Sequence, residues 1–172
     1  FEYDGVLVRV DILERVQNSD GGSSSWRLIE VKSSTRVKDV HLDDLSIQSH
    51  VVLGAGLRLD ATCLMHIDTG YLYRGGEVDL QALFSIEDVS EAVADRRGRV
   101  PERLAAMKVL LLESQAPMIE PDQHCHTPYE CPFWTHCTKE KPQRWIYHLP
   151  GKKEIVGQLV RKGIETIDDI PD

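Results

Sequence analysis

The sequence has no apolar run near the roughly 18 residues that a membrane-spanning helix needs, so no such helix is expected. It opens on Phe1, inside what reads as a strand, and no secretory signal is visible within it; a targeting segment upstream stays open. A piece of a longer chain that works in the cytoplasm is the expectation. Basic residues are in the minority: 20 Lys and Arg stand against 28 Asp and Glu, a formal net charge of −8. Proteins that grip nucleic acid over a wide surface are basic, so that class is disfavoured, although the overall sign says little about a cleft. Cysteine is sparse for a disulfide-stapled secreted domain: Cys63, Cys125, Cys131 and Cys137 are the whole set. There is no internal repeat, and the one low-complexity tract is 18–25.

What remains is ordinary in bulk and informative in order. The 172 residues are 41% hydrophobic and 28% charged, enough for one domain with a sizeable core. "GVLVRVDILERV" (5–16) and the run from Trp26 to Ser33 read as strands, joined by the turn-rich "QNSDGGSSS" (17–25). "LDDLSIQSHVVLGAGL" reads as a helix with Leu42, Leu45, Val52 and Leu53 apolar and Gly54 or Gly56 near its C-terminus. "RLDATCLMHID" and "GYLYRG" read as a hairpin turning near Asp68–Gly70. "QALFSIEDVS" is a strand leading into a turn and "SEAVADRRG" a short helix. "PERLAAMKVLLLES" is a helix with Pro101 in its first turn and Leu104, Met107, Val109, Leu110 and Leu111 apolar. A Pro- and His-rich irregular segment follows. The tail "KKEIVGQLVRKGIETIDDIP" predicts a helix, a Gly-terminated turn and an extended end. This order predicts an α/β domain, a mixed sheet flanked by helices. The expected segments are a core over 1–118, a cysteine-rich metal-binding stretch over 119–145, and a C-terminal helix with a linker to a further domain over 146–172.

"WRLIEVKSS" puts Glu30 and Lys32 two apart in an apolar strand. Alternation places both on one face with Leu28, while Ile29 and Val31 take the other. A loop centred between Asp20 and Gly21 pairs residues whose numbers add to 41, which sets Asp11 opposite Glu30. Arg9, Asp11, Glu30 and Lys32 then gather on one side of the hairpin; a slip of one residue would scatter them. Cross-strand ion pairs on a solvated face are the plain account of such a group. The chemical account is phosphodiester hydrolysis: Asp and Glu oxygens suit Mg²⁺ or Mn²⁺, and a lysine stabilises charge in the transition state. In that reading Asp11, Glu30 and the Val31 carbonyl hold the cation and Lys32 assists the attacking water.

"VDIL…WRLIEVKSS" followed by "DDLSIQSHVV" resembles the core of the PD-(D/E)XK nucleases, in particular their RecB-type branch. There a helix after the E-x-K strand carries a Gln and, four residues on, often a Tyr. Gln48 matches the Gln, and the resemblance gives it a supporting role in the active site; Val52 stands at the Tyr position. The branch's upstream motif histidine would precede Phe1. The resemblance implies a restriction-endonuclease-like fold, metal-dependent cleavage with an exonuclease mode as one option, and DNA as partner, single-stranded or bearing ends.

"HCHTPYECPFWTHC" spaces Cys125, Cys131 and Cys137 as C-x₅-C-x₅-C. Clustered thiolates suit zinc or an iron–sulfur cluster, and the spacing is not the C-x₂-C of a zinc ribbon. Together with the nuclease core, the tract resembles the C-terminal part of the iron–sulfur clasp of RecB-type nucleases, especially an uncharacterised bacterial family of such domains. The resemblance implies a cluster on these three cysteines in the complete protein, completed by an upstream cysteine that this sequence does not contain. Zn²⁺ with help from His124, His126 or His136, and a segment without metal, stay open. Cys63 reads as a core residue of an apolar strand. Phe133 and Trp134 could stack on bases or cover the cysteine segment. "RRGR" (96–99) is a basic turn, either a solvated loop or a phosphate contact. A non-catalytic nucleic-acid-binding or scaffolding module on the same fold is the competing function. The acidic charge and Val52 favour it, and the D…E-x-K set favours catalysis.

Overall fold

The computed structural model describes residues 1–16, 24–151 and 153–171. They form two compact units, Phe1–Leu112 and Glu113–Asp172.

The first unit begins with a small antiparallel hairpin of β1 (Glu2–Tyr3) and β2 (Val6–Leu7). Asp4 and Gly5 turn it with φ of 51° and 68°. An Asp-Gly pair suits a two-residue hairpin turn in which both residues have positive φ. This divides the strand expected over 5–16. Val6 and Leu7 pair back on β1, and the chain rejoins a sheet only as β3 (Ile12–Val16). The main sheet has the order β3-β4-β5-β6, with β4 at Ser25–Val31, β5 at Leu59–Ile67 and β6 at Phe84–Asp88. β3 and β4 are antiparallel, in a register running from Ile12 opposite Ile29 to Val16 opposite Ser25. Those numbers add to 41, as the loop position requires; the loop centre at Asp20–Gly21 lies outside the described residues.

β4 and β5 run parallel, so the chain must cross over between them. The crossover is α1 (Asp39–Gly54), and Gly56 follows it at φ 92°. The antiparallel partner of β5 is β6, and not the "GYLYRG" stretch. Residues 71–78 form no strand, and Gly75 and Gly76 there have φ of 90° and 85°. A single turn, α2 (Leu80–Leu83), follows, capped by the Asp79 carboxylate, which accepts from the Gln81 and Ala82 N–H groups. α3 (Ser90–Arg97) and α4 (Val100–Leu111) close the unit.

One sheet face and α1 enclose the core: Leu28, Leu42, Leu45, Val52, Leu64 and Val93, with Val8, Val10 and Leu13 packed against them. α4 buries only Val100 and Leu104. Met107, Val109, Leu110 and Leu111, expected on its packing stripe, are exposed.

The second unit holds α5 (Trp134–Thr138), α6 (Lys153–Arg161) and 3₁₀ turns at Gln123–His126, Ile146–His148 and Ile167–Asp169. Trp145, Ile146, Tyr147 and Val156 form its core, with Trp134, Leu149, Leu159 and Ile164 around them. The cysteine-rich stretch and the C-terminal helix thus share one small core. The tail expected to be an extended linker folds back instead. Ile146 donates to the Glu165 carbonyl, Ile167 to the Arg144 carbonyl, and Trp145 bridges Thr166. Among the described residues no helix is long and apolar enough to cross a membrane.

Candidate active site

β4 sets the site through its alternation. Leu28 points into the core, so Glu30, two residues on, starts from the same buried face. Glu30 is 7% exposed. A carboxylate this buried must be paired and hydrogen-bonded to be tolerated, and both its oxygens are: Oε1 accepts from Lys32 Nζ at 2.6 Å and Oε2 from Gln48 Nε2 at 2.8 Å. This is not a solvated strand face.

α1 supplies the other half. His41, Leu45, Gln48 and Val52 follow one another at intervals of three and four, one stripe of a helix, and all four are buried. Gln48 therefore faces the sheet rather than solvent. Its amide can donate to a carboxylate only with Nε2 turned toward it, which fixes its orientation. That leaves Gln48 Oε1 buried with no hydrogen-bond partner among the described residues.

Asp44, one turn before Gln48, is a site residue that sequence reasoning missed. Its Oδ2 accepts from Lys32 Nζ at 2.7 Å, and its Oδ1 lies 3.4 Å from Gln48 Nε2. The signal was present in the sequence, since residues four apart on a helix are neighbours. Glu30, Lys32, Asp44 and Gln48 thus close a ring of four side chains, one from β4, one from the residue just past its end and two from α1. Burial pulls the Lys32 ammonium toward a lower pKa, but the hydrogen bonds and charges of Asp44 and Glu30 outweigh it and hold Lys32 above the usual lysine range. Lys32 is therefore a fixed cation at neutral pH.

Asp11 stands just before β3, where the register carries it opposite Glu30. It reaches the next residue's backbone instead: its Oδ2 accepts from the Val31 N–H at 2.9 Å. N–H and C=O of one extended residue point the same way, so the Val31 carbonyl also faces the Asp11 side. Arg9, expected in this group, is exposed and has no ion-pair partner among the described residues. His41 is buried, with Nδ1 unpartnered among the described residues, and burial followed by the Lys32 and Lys38 charges pushes its pKa down.

The donor set suits a hard cation. Two carboxylates and a carbonyl offer only oxygen, and Mg²⁺ is commonly held by one or two carboxylates with waters and phosphate completing the shell. The unpartnered Gln48 Oε1 is a further acceptor for a bound water. Among the described residues no three or more His, Cys, Asp or Glu side chains are grouped to hold a metal. In the second unit Cys125 is buried, Cys131 partly buried and Cys137 exposed, all as free thiols. The Cys131 N–H donates to the Cys125 carbonyl at 2.7 Å. These three thiols are not gathered into a metal-holding group.

Other expectations resolve individually. Cys63 is buried in β5, opposite Ile29, and burial raises its thiol pKa. Arg96 of the basic turn is held by Asp39 at 2.6 Å and Asp43 at 2.9 Å, tying α3 to α1. Trp134 stacks on Trp145 with ring centroids 5.5 Å apart, while Phe133 is exposed.

Comparison of the chain with protein-family models, curated proteins and solved structures finds no match. Fold and site together define a mixed α/β protein with a four-stranded mixed sheet and a buried, lysine-paired glutamate between sheet and helix.

Proposed function

We propose that the first unit is a metal-dependent nuclease domain of restriction-endonuclease-like fold that hydrolyses phosphodiester bonds in DNA. The observation that carries this reading is the buried Glu30 carboxylate, held by Lys32 and Gln48 beside Asp11 and the Val31 carbonyl. A structural ion pair has no need of a second carboxylate reaching the adjacent backbone.

In this reading Asp11, Glu30 and the Val31 carbonyl hold Mg²⁺ or Mn²⁺. The cation supplies a bound water of lowered pKa and neutralises charge developing on the phosphate. Lys32, a permanent cation, stabilises the phosphate oxygens as charge builds on them. Gln48 fixes one Glu30 oxygen and offers its own to the attacking water. We extend the proposal to the second unit: Cys125, Cys131 and Cys137 contribute three ligands to an iron–sulfur cluster, or to Zn²⁺, with one further ligand that is not among the three. Iron and zinc analysis of protein purified without oxygen decides between the two.

One observation favours a non-catalytic binding module. Val52, where the resemblance expects a tyrosine, is wholly buried in the core and offers no hydroxyl to the site. End-labelled single- and double-stranded DNA incubated with Mn²⁺ separates the readings. The wild type is expected to cleave, and Glu30→Ala to lose cleavage while keeping its circular dichroism. Cleavage that survives Glu30→Ala removes the site assignment, and DNA binding without cleavage by the wild type establishes the module.

A further inference from the structure

We infer that Asp44 is a positioning residue of this site: it anchors the Lys32 ammonium and the Gln48 amide, so that the Glu30 carboxylate is free to take a cation. The inference rests on the nuclease reading above and adds a residue to it.

The ring described above has Lys32 Nζ between two carboxylates, 2.6 Å from Glu30 and 2.7 Å from Asp44. With Glu30 as its sole partner, Lys32 would neutralise the carboxylate that must bind metal. Asp44 supplies a second anchor at nearly equal distance. When a cation approaches Glu30, Lys32 can relinquish that bond and keep its place through Asp44. The same exchange is open to Gln48 Nε2, which lies 2.8 Å from Glu30 and 3.4 Å from Asp44. Asp44 is also the more exposed partner, with its side chain 42% accessible against 9% for Glu30. One turn of α1 fixes the spacing of the two anchor points. Groups that orient metal ligands in this way typically change metal affinity or activity by about 10- to 100-fold when removed.

The test uses the full chain with Asp44→Asn, Asp44→Glu and the Glu30→Ala control. Asp44→Asn keeps the shape and loses the charge. It is expected to lower kcat by about 10- to 100-fold and to raise the Mn²⁺ concentration needed for half-maximal rate. KM for DNA should stay near that of the wild type, and Asp44→Glu should recover part of the rate. Equal kcat and Mn²⁺ requirement in Asp44→Asn and wild type overturn the inference.

A second readout does not need cleavage. The side-chain ammonium of Lys32 in ¹⁵N-lysine-labelled protein, assigned by its loss in Lys32→Arg, should give a slowly exchanging signal in the wild type. In Asp44→Asn that signal should broaden or vanish while the backbone amide spectrum is retained. An unchanged ammonium signal overturns the anchoring role even if the chain proves to cleave nothing. Loss of the signal in a protein without cleavage keeps the anchor and rejects the nuclease.

Discussion

At the scale of single residues, the site turns on a buried negative charge. Glu30 is tolerated next to Leu28 because Lys32 and Gln48 satisfy both its oxygens. Lys32→Met removes a charged hydrogen bond and leaves Glu30 with the amide alone. It is expected to destabilise the unit by about 1–3 kcal/mol, measured as a lower urea midpoint. Restoring the wild-type midpoint by adding Glu30→Leu would show that the cost lies in the unpaired carboxylate and not in lost lysine packing. Much of this was legible in the sequence. Glu30, Lys32 and the Asp11 register followed from alternation and from the position of the loop. Asp44 was not read, although it lies one helical turn from Gln48, because two adjacent acids at a helix start look like ordinary surface. Gln48 itself could be placed inward only by following the stripe His41–Leu45–Gln48–Val52.

At the scale of elements, the departures from sequence reasoning have physical causes. "GVLVRV" has strand composition throughout, but Asp4-Gly5 makes a turn so tight that the chain pairs locally first. "GYLYRG" has the aromatic content of a strand, yet Gly75 and Gly76 take conformations that a ladder does not admit, and pairing passes to Phe84–Asp88. α4 shows that an apolar run does not say which turns find a partner: only Val100 and Leu104 are buried. The β1–β2 hairpin gives a sharper prediction. A Cβ at Gly54, the last residue of α1, would lie 2.1–2.4 Å from atoms of the Tyr3 ring. Gly54→Ala should improve helix propensity by about 1 kcal/mol and lose about 1–3 kcal/mol to overpacking. Destabilisation is therefore expected, with faster hydrogen exchange at Val8, whose N–H donates to the Phe1 carbonyl. A more stable variant with unaltered exchange would show that the hairpin yields freely.

At the scale of the whole molecule, both units are acidic, the first with 18 acidic against 13 basic residues and the second with 10 against 7. Neither offers the broad basic surface that holds DNA by counterion release. Under the nuclease reading, affinity should therefore depend on the divalent cation more than on lysines. Stability against pH follows from two histidines of opposite sign. The hydrogen bond that His66 donates to the Glu87 carboxylate, followed by the one it donates to the Ile67 carbonyl, raises the His66 pKa. Its contribution is present below about pH 6.5, the unfolded value, and is lost as pH rises through the folded value. His41 is depressed by burial, so its contribution is present above about pH 6.5 and is lost as pH falls. The two act in opposite directions in the wild type. His66→Gln should expose the His41 trend: urea midpoints at pH 8 and pH 5.5 should diverge more in the variant than in the wild type, with the acidic value lower. Equal pH dependence in both proteins would show that the Glu87–His66 bond does not bias folding.

The ring of four side chains has a consequence for how damage spreads. Its strand half and its helix half meet where α1 packs on the sheet, so their spacing follows that packing. A cavity made at Leu45 or Leu64 lets the helix shift by a fraction of an ångström and separates donor from acceptor at the far end of the same interface. Under gentle denaturation the site should therefore fail as an early warning, losing its geometry while the sheet still gives a native spectrum.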